Sequence, residues 1–165
     1  PVERFGSFEL PESQLDRFMM SISLGYPDRG HEREIFMRDI EHVHAEQLQP
    51  VTDPQTIRKL QEKVRDVRVE SSIMEYLLDL VRATRETSAM RLGLSSRAGL
   101  HLKRAMQAEA LLDMRDYVVP ADLRNVFLPT TLHRILLPGG SMDGQGREQK
   151  KDVLNQVLRS AAGPV

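Results

Sequence analysis

Two arginines stand where a guanidinium group could act on a phosphate. Arg97 follows two serines in the stretch GLSSRAGLHLKRAM, in the first turn of a helix that the pattern places after Ser95 or Ser96. A cation there faces the positive end of the helix dipole, at a cost of about 0.3–1 kcal/mol. The same end offers free N–H groups, and N–H donors beside a guanidinium make a binding place for a phosphate oxygen. The plainer role, a surface arginine whose stem covers apolar area, is the commoner one for such spacing. Arg17 closes a short helix in LPESQLDRF. It is read either as an arginine presented at a subunit boundary toward a neighbour's nucleotide, or as a surface charge that pairs, like Asp16, with nearby groups.

Other chemistries find little support. The chain has no cysteine, which removes disulfides, thiolate nucleophiles and cysteine-ligated zinc and fits a reducing cytosol. His42 and His44 lie about 200° apart around a helix and cannot share an ion. His31, His101 and His133 lack partner ligands at helical spacing, except His31 with Glu34 and nearby acids, so surface histidines are expected and no metal site is assigned. The methionines read as packing. No GxSxG elbow, GxGxxG fingerprint or GxxxxGK[ST] loop occurs. With no loop to cradle a triphosphate, the segment by itself is expected not to hydrolyse ATP.

The 165 residues carry 23 basic and 24 acidic side chains, a net charge of −1, so no overall basic surplus draws the chain to nucleic acid or anionic lipid. No apolar run reaches the roughly 20 residues that span a bilayer. The opening PVERFGSFEL lacks the basic start and hydrophobic centre of a signal peptide. It also lacks a starting Met, as if cut from something longer.

The elements that must position the arginines follow from periodicity. Pro11 suits the first turn of a short helix. FMMSISL then alternates with period two, as a strand does, and Gly25 and Pro27 end it. A strand needs partners, and none is evident in this chain. After Pro27 the period becomes about 3.6. Asp28 caps a helix to about His44, with Phe36, Ile40 and Val43 on one face. Asp53 and Pro54 open the next, with the stripe Ile57, Leu60, Val64 and Val67. In SSIMEYLLDLVRATRE, Ser72 and Glu75 have capping-box spacing, and Ile73, Leu77, Leu80, Val81 and Thr84 form the stripe. The helix carrying Arg97 turns Ala98, Leu102, Ala105 and Leu112 inward. A fifth helix starts at Pro120 and is expected to break at Pro129, with a further turn ending near Leu137. PGGSMDGQG reads as a flexible linker, and REQKKDVLNQVLRS as a last helix using Val153, Val157, Leu154 and Leu158.

Several of these stretches together resemble one family. PVERFGSFELPESQLDRF is similar to the segment of MoxR AAA+ ATPases with the form NP-x-E-x-x-G-x-x-x-LPE-x-QLDRF, which follows the sensor-1 strand. GYPDRGHEREI resembles that family's junction between core and lid. GLSSRAGLHLKRAMQAEALLDMRDYVVPADL resembles its lid, with a G-x-S-x-RA sensor-2 motif and a GRDYVTP-like turn. Pro1 resembles the proline directly after the sensor-1 asparagine. Two departures are Ser96, where the family commonly has Pro, and Val119, where it has a Thr cap. They touch helix starts and remove no charge.

The resemblance implies a mainly α fold: a helical AAA+ lid preceded by a short helix and one β-strand left over from the α/β nucleotide-binding core. Residues 1–27 would be the core remnant, 28–137 the lid, and 138–165 a linker with a C-terminal helix. The Walker A and Walker B loops would precede Pro1. Arg17 would be the arginine finger acting in trans, and Arg97 the sensor-2 arginine on the ATP phosphates, in cis or in trans. The full protein would use ATP and Mg2+, form a ring, a hexamer by family habit, and remodel or mature client proteins in the cytoplasm. A partner carrying a von Willebrand factor A domain is also implied. Two other classes compete. A helix-turn-helix DNA-binding module is disfavoured by near-neutral charge and the lack of a basic recognition helix. A stand-alone helical protein-interaction module would differ chiefly in what precedes Pro1.

Overall fold

A computed structural model of the chain describes residues 10–37, 48–139, 144–161 and 163. Its helices are α1 (Glu12–Leu15), α2 (Arg29–Met37), α3 (Pro54–Asp66), α4 (Ser71–Glu86), α5 (Ser96–Leu112), α6 (Pro120–Thr131) and α7 (Gly144–Ser160). They fall into two compact units: one of Pro1–Ser21 with Glu62–Val165, the other Ile22–Gln61.

Within the larger unit, α5 packs on α4 and α6, and α7 packs on α4 and α6. The predicted α4 stripe is buried in full: Ile73, Leu77, Leu80, Val81 and Thr84. Ala98, Leu102 and Ala105 of α5 meet it, joined by Met106 and Ala110; small side chains there allow close helix approach. Leu123, Val126 and Phe127 of α6 complete the layer, and Leu154 and Val157 of α7 close it. Each large side chain so buried contributes about 1.5–3 kcal/mol. Leu112, expected inward, is instead 80% exposed, while Ala110 in the same turn is buried.

Local chemistry accounts for the helix ends. Asp28 accepts the His31 N–H at 3.0 Å, and Asp53 accepts those of Gln55 and Thr56 at 2.8 and 2.9 Å, so both expected caps form. The predicted continuation of α2 to His44, with Ile40 and Val43, lies outside the described residues. The Ser72–Glu75 capping box does not form: α4 starts earlier, after Glu70, and has no side-chain cap. At α6 the carboxylate of Asp122 takes the Val119 N–H at 2.8 Å, but a valine has nothing to return, so the box closes from one side. Asp122 is almost fully buried and also accepts two bonds from Arg115, at 2.8 and 2.6 Å. α5 ends in a Schellman turn, with Arg115 N–H on Ala110 O and Met114 N–H on Leu111 O, both 2.9 Å. Met114 holds the left-handed position of that turn at φ 60°.

Two expectations fail for clear reasons. Helix α6 runs through Pro129 to Thr131. The proline costs one helical bond, but the surrounding core holds the turn, and Thr131 Oγ1 donates to Phe127 O at 2.6 Å. The alternating run from Phe18 to Leu24 forms no strand. Among the described residues, β pairing is limited to isolated bridges between Arg68 and Tyr117 and between Leu92 and Leu136. A strand without neighbours cannot satisfy its ladder. Ser21 N–H finds Pro129 O instead, at 2.8 Å.

In the smaller unit, α2 and the start of α3 leave their apolar faces open. Phe36 is 77% exposed, and Ile57 and Leu60 of the predicted α3 stripe are exposed as well. Periodicity correctly marked α3 as amphipathic, yet it buries none of its residues; Val67, just past its end, is buried in the larger unit.

Candidate functional site

The start of α5 is built by the loop that precedes it. Ser95 Oγ accepts the Ala98 N–H at 3.1 Å, capping the helix. Among the described residues this leaves the first-turn N–H groups of Ser96 and Arg97 without an internal acceptor. Gly93 lets the loop lie flat on the end of α4: a Cβ there would overlap the Thr84 carbonyl. Thr84 Oγ1 completes the fit by accepting the Leu94 N–H at 3.0 Å. On its other side the loop is stitched to the segment after α6, with Arg91 N–H on Leu136 O at 2.7 Å and Leu136 N–H on Leu92 O at 3.1 Å. Beside this frame lies an open cleft of about 670 Å³, lined among others by Arg85, Arg91, Ser95, Ser96, Asp16 and Arg134.

Asp16, at the end of α1, is the hub. Ser95 Oγ donates to both carboxylate oxygens at 3.0 Å, so one hydroxyl caps α5 and binds Asp16 together. Arg97 Nη1 stands 3.9 Å from Asp16 Oδ2 with half of its side chain exposed. The carboxylate thus offsets the cation placed against the helix dipole. Arg134 Nη1 donates to Asp16 Oδ1 at 3.0 Å and to its backbone carbonyl at 2.9 Å. Arg134 is 1% exposed as a side chain. Burial pushes its guanidinium below the usual arginine value, and Asp16 opposes that shift.

The two predicted site residues therefore flank one carboxylate. Arg97 reaches toward Asp16, and Arg17 is the next residue in the chain. Arg17 is exposed, and its guanidinium has no partner among the described residues. Its backbone is fixed: Arg17 N–H bonds to Gln14 O and Phe18 N–H to Leu15 O, both at 3.1 Å.

Three residues at this junction were not found in the sequence. Arg134 was not singled out at all. His101 and His133 were expected at the surface and are half-buried instead. His101 Nδ1 accepts from Arg134 Nη2, and His133 Nε2 lies 2.9 Å from Phe18 O. Burial first, then the nearby Arg134, holds the His101 pKa below its ordinary value; for His133 burial is again the leading cause. The available signal was an arginine set inside the apolar run TLHRILL, where a purely surface charge would sit badly.

A half-exposed guanidinium and two open N–H groups at the start of α5 suit an anion of phosphate type. Residues 82–157 match the AAA lid domain family. The chain is 35% identical to the uncharacterized protein YeaC of Bacillus subtilis, over 100% of this chain and 51% of that protein. It is 33% identical to the chaperone MoxR1 of Mycobacterium tuberculosis, over 99% of this chain and 45% of that one. Identity to the protein MoxR of Paracoccus denitrificans is 30%, over 98% and 51%. A crystal structure of a candidate ATPase from Cytophaga hutchinsonii aligns with a TM-score of 0.82 and 29% identity, over 100% of this chain and 52% of that one. The chain spans about half the length of the relatives it matches. Among the described residues no helix is long and apolar enough to cross a membrane.

Proposed function

With residues 82–157 an AAA lid domain and the whole chain a relative of the MoxR AAA+ proteins, we propose that it is the phosphate-reading part of a MoxR-type ATPase. In this reading the nucleotide cradle lies in polypeptide preceding Pro1. Bound ATP with Mg2+ would supply the bond that is broken and the charge that the arginines answer. Arg97 leaves Asp16 for a phosphate oxygen, with the Ser96 and Arg97 N–H groups as further donors. Arg17 contacts the nucleotide of an adjoining subunit, which requires a ring. Phosphoryl transfer depends on positioning and charge neutralisation, and a finger arginine contributes about 10³–10⁵ in rate. Loss of the γ-phosphate returns Arg97 to Asp16 and frees the lid to swing. The work done with that motion is chaperone-like remodelling or maturation of client proteins, together with a partner bearing a von Willebrand factor A domain.

The observation that carries this reading is the shared carboxylate: Arg97, 3.9 Å from Asp16, is close enough to be held yet exposed enough to leave. The test is Arg97→Ala in the full-length protein. Weakened or uncoupled nucleotide binding is expected; unchanged affinity and turnover would return Arg97 to a surface role.

A further inference from the structure

We propose that Arg134 is a positioning residue for Arg17, fastening the finger to the lid so that the two move as one body. This rests on the reading of Arg17 just given and adds the residue through which the lid would control it.

The geometry is specific to the backbone around Arg17. Arg134 Nη1 donates to Asp16 O at 2.9 Å, and Nη2 donates to Phe18 O, the carbonyls on either side of Arg17. Nη2 also lies 3.4 Å from Met19 O. A side chain that needed only a counter-charge would stop at the Asp16 carboxylate. Instead the fork spreads over the carbonyls of Asp16, Phe18 and Met19, with Nη2 also on His101 Nδ1, while the Arg17 side chain is left in solvent. His133 Nε2 meets Phe18 O from the neighbouring position, at 2.9 Å. The Arg134 segment is itself bonded, through Leu136 and Leu92, to the loop before α5, the helix that carries Arg97. A rigid path therefore runs from the phosphate-facing turn of the lid to the Arg17 backbone.

The fork cannot be replaced by an ammonium group. Arginine offers donors on two Nη atoms in a fixed plane, whereas lysine presents a single point charge. Arg134→Lys should keep the pairing with Asp16 and lose the hold on Phe18 and Met19. Arg134→Gln should lose both. Misplacing a reacting group by about 1 Å costs on the order of 10²-fold, so a free-swinging Arg17 should reduce turnover without touching the subunit's own nucleotide affinity.

The experiment compares full-length wild type with Arg134→Lys, Arg134→Gln, Arg17→Ala and the double variant Arg17→Ala/Arg134→Gln. ATP turnover, ATP affinity and oligomer size are read for each. Turnover about tenfold to a hundredfold lower is expected for Arg134→Gln, with affinity and assembly kept and Arg134→Lys intermediate. The double variant should be no slower than Arg17→Ala alone, since a finger already absent cannot be misplaced. Normal turnover in Arg134→Gln, or multiplied losses in the double variant, would overturn the proposal while leaving Arg17 as the finger. Wild-type turnover in Arg17→Ala would overturn the finger and this proposal together. If Arg134→Gln fails to fold, Arg134→Lys decides: undiminished turnover overturns the proposal. In the 165-residue chain, amide exchange of residues 14–21 should rise in Arg134→Gln while α4 and α5 stay protected; unchanged exchange there would show that no clamp exists.

Discussion

Asp16 and Arg134 stand 118 positions apart in the chain and meet at 3.0 Å, with the guanidinium buried and the carboxylate near the surface. Ser95 and Arg97 approach the same carboxylate, so one acidic side chain joins the segment before the bundle to the loop that opens α5. Taking away one member of a buried ion pair costs about 3–5 kcal/mol, because the other is left uncompensated. Asp16 keeps partial exposure, which places Asp16→Ala at the lower end, about 3 kcal/mol. Denaturant unfolding measures it. A loss under about 1 kcal/mol, the worth of an exposed pair, would contradict the burial argument.

Gly93 is required by space. A side chain there meets the Thr84 carbonyl, which is helical backbone and cannot step aside. Gly93→Ala should destabilise by about 1–3 kcal/mol, as overpacking does, and should disturb the Leu94–Thr84 bond that seats the loop. Equal melting temperatures for Gly93→Ala and wild type would refute the close approach.

At Met114 the backbone sits at φ 60°, in the turn position that glycine usually fills, and the side chain is 91% exposed. A non-glycine residue there costs about 1–2 kcal/mol. Met114→Gly should therefore raise stability, by about 1 kcal/mol once the extra freedom of an unfolded glycine is counted. A lower melting temperature in that variant would mean the methionine packs usefully after all.

Acid should loosen the junction before it affects the helix caps. His101 and His133 have pKa values below the ordinary 6.5, so as pH falls the unfolded chain takes up protons first. Stability from this source is complete above the ordinary value and declines as pH falls from there toward the lowered ones. The charged groups facing these rings are Arg134, Arg97 and Asp16, and His133 also faces His101. Asp28 and Asp53, held below 3.8 by their cap bonds, lose their contribution only at lower pH. Unfolding free energy measured from pH 7.5 to pH 5 should fall, and His101→Gln/His133→Gln should flatten the slope. An unchanged slope in that variant would assign the loss elsewhere.

Much of the bundle was legible because its signals are local. The stripe of α4 and the caps Asp28, Asp53 and Ser95 depend on neighbours within a few residues, and all form. Most of what failed depended on distant partners. Ile57 and Leu60 have helical spacing, but spacing does not say whether another surface arrives to cover them. Ser72 and Glu75 have the right separation, yet the helix begins too early for them to cap it. Pro129 breaks a helix in isolation and is overruled by the core on which α6 rests. The same division applies at the site. Arg97 and Arg17 were nominated by motif position, whereas Asp16, Arg134 and the two histidines gain meaning only when 118 residues of chain fold back.

The most direct measurement is ATP turnover by the full-length protein carrying Arg17→Ala, with ATP affinity determined on the same preparation. Turnover reduced about 10³-fold or more, with affinity nearly intact, is the predicted result. Hydrolysis at close to the wild-type rate would contradict the account.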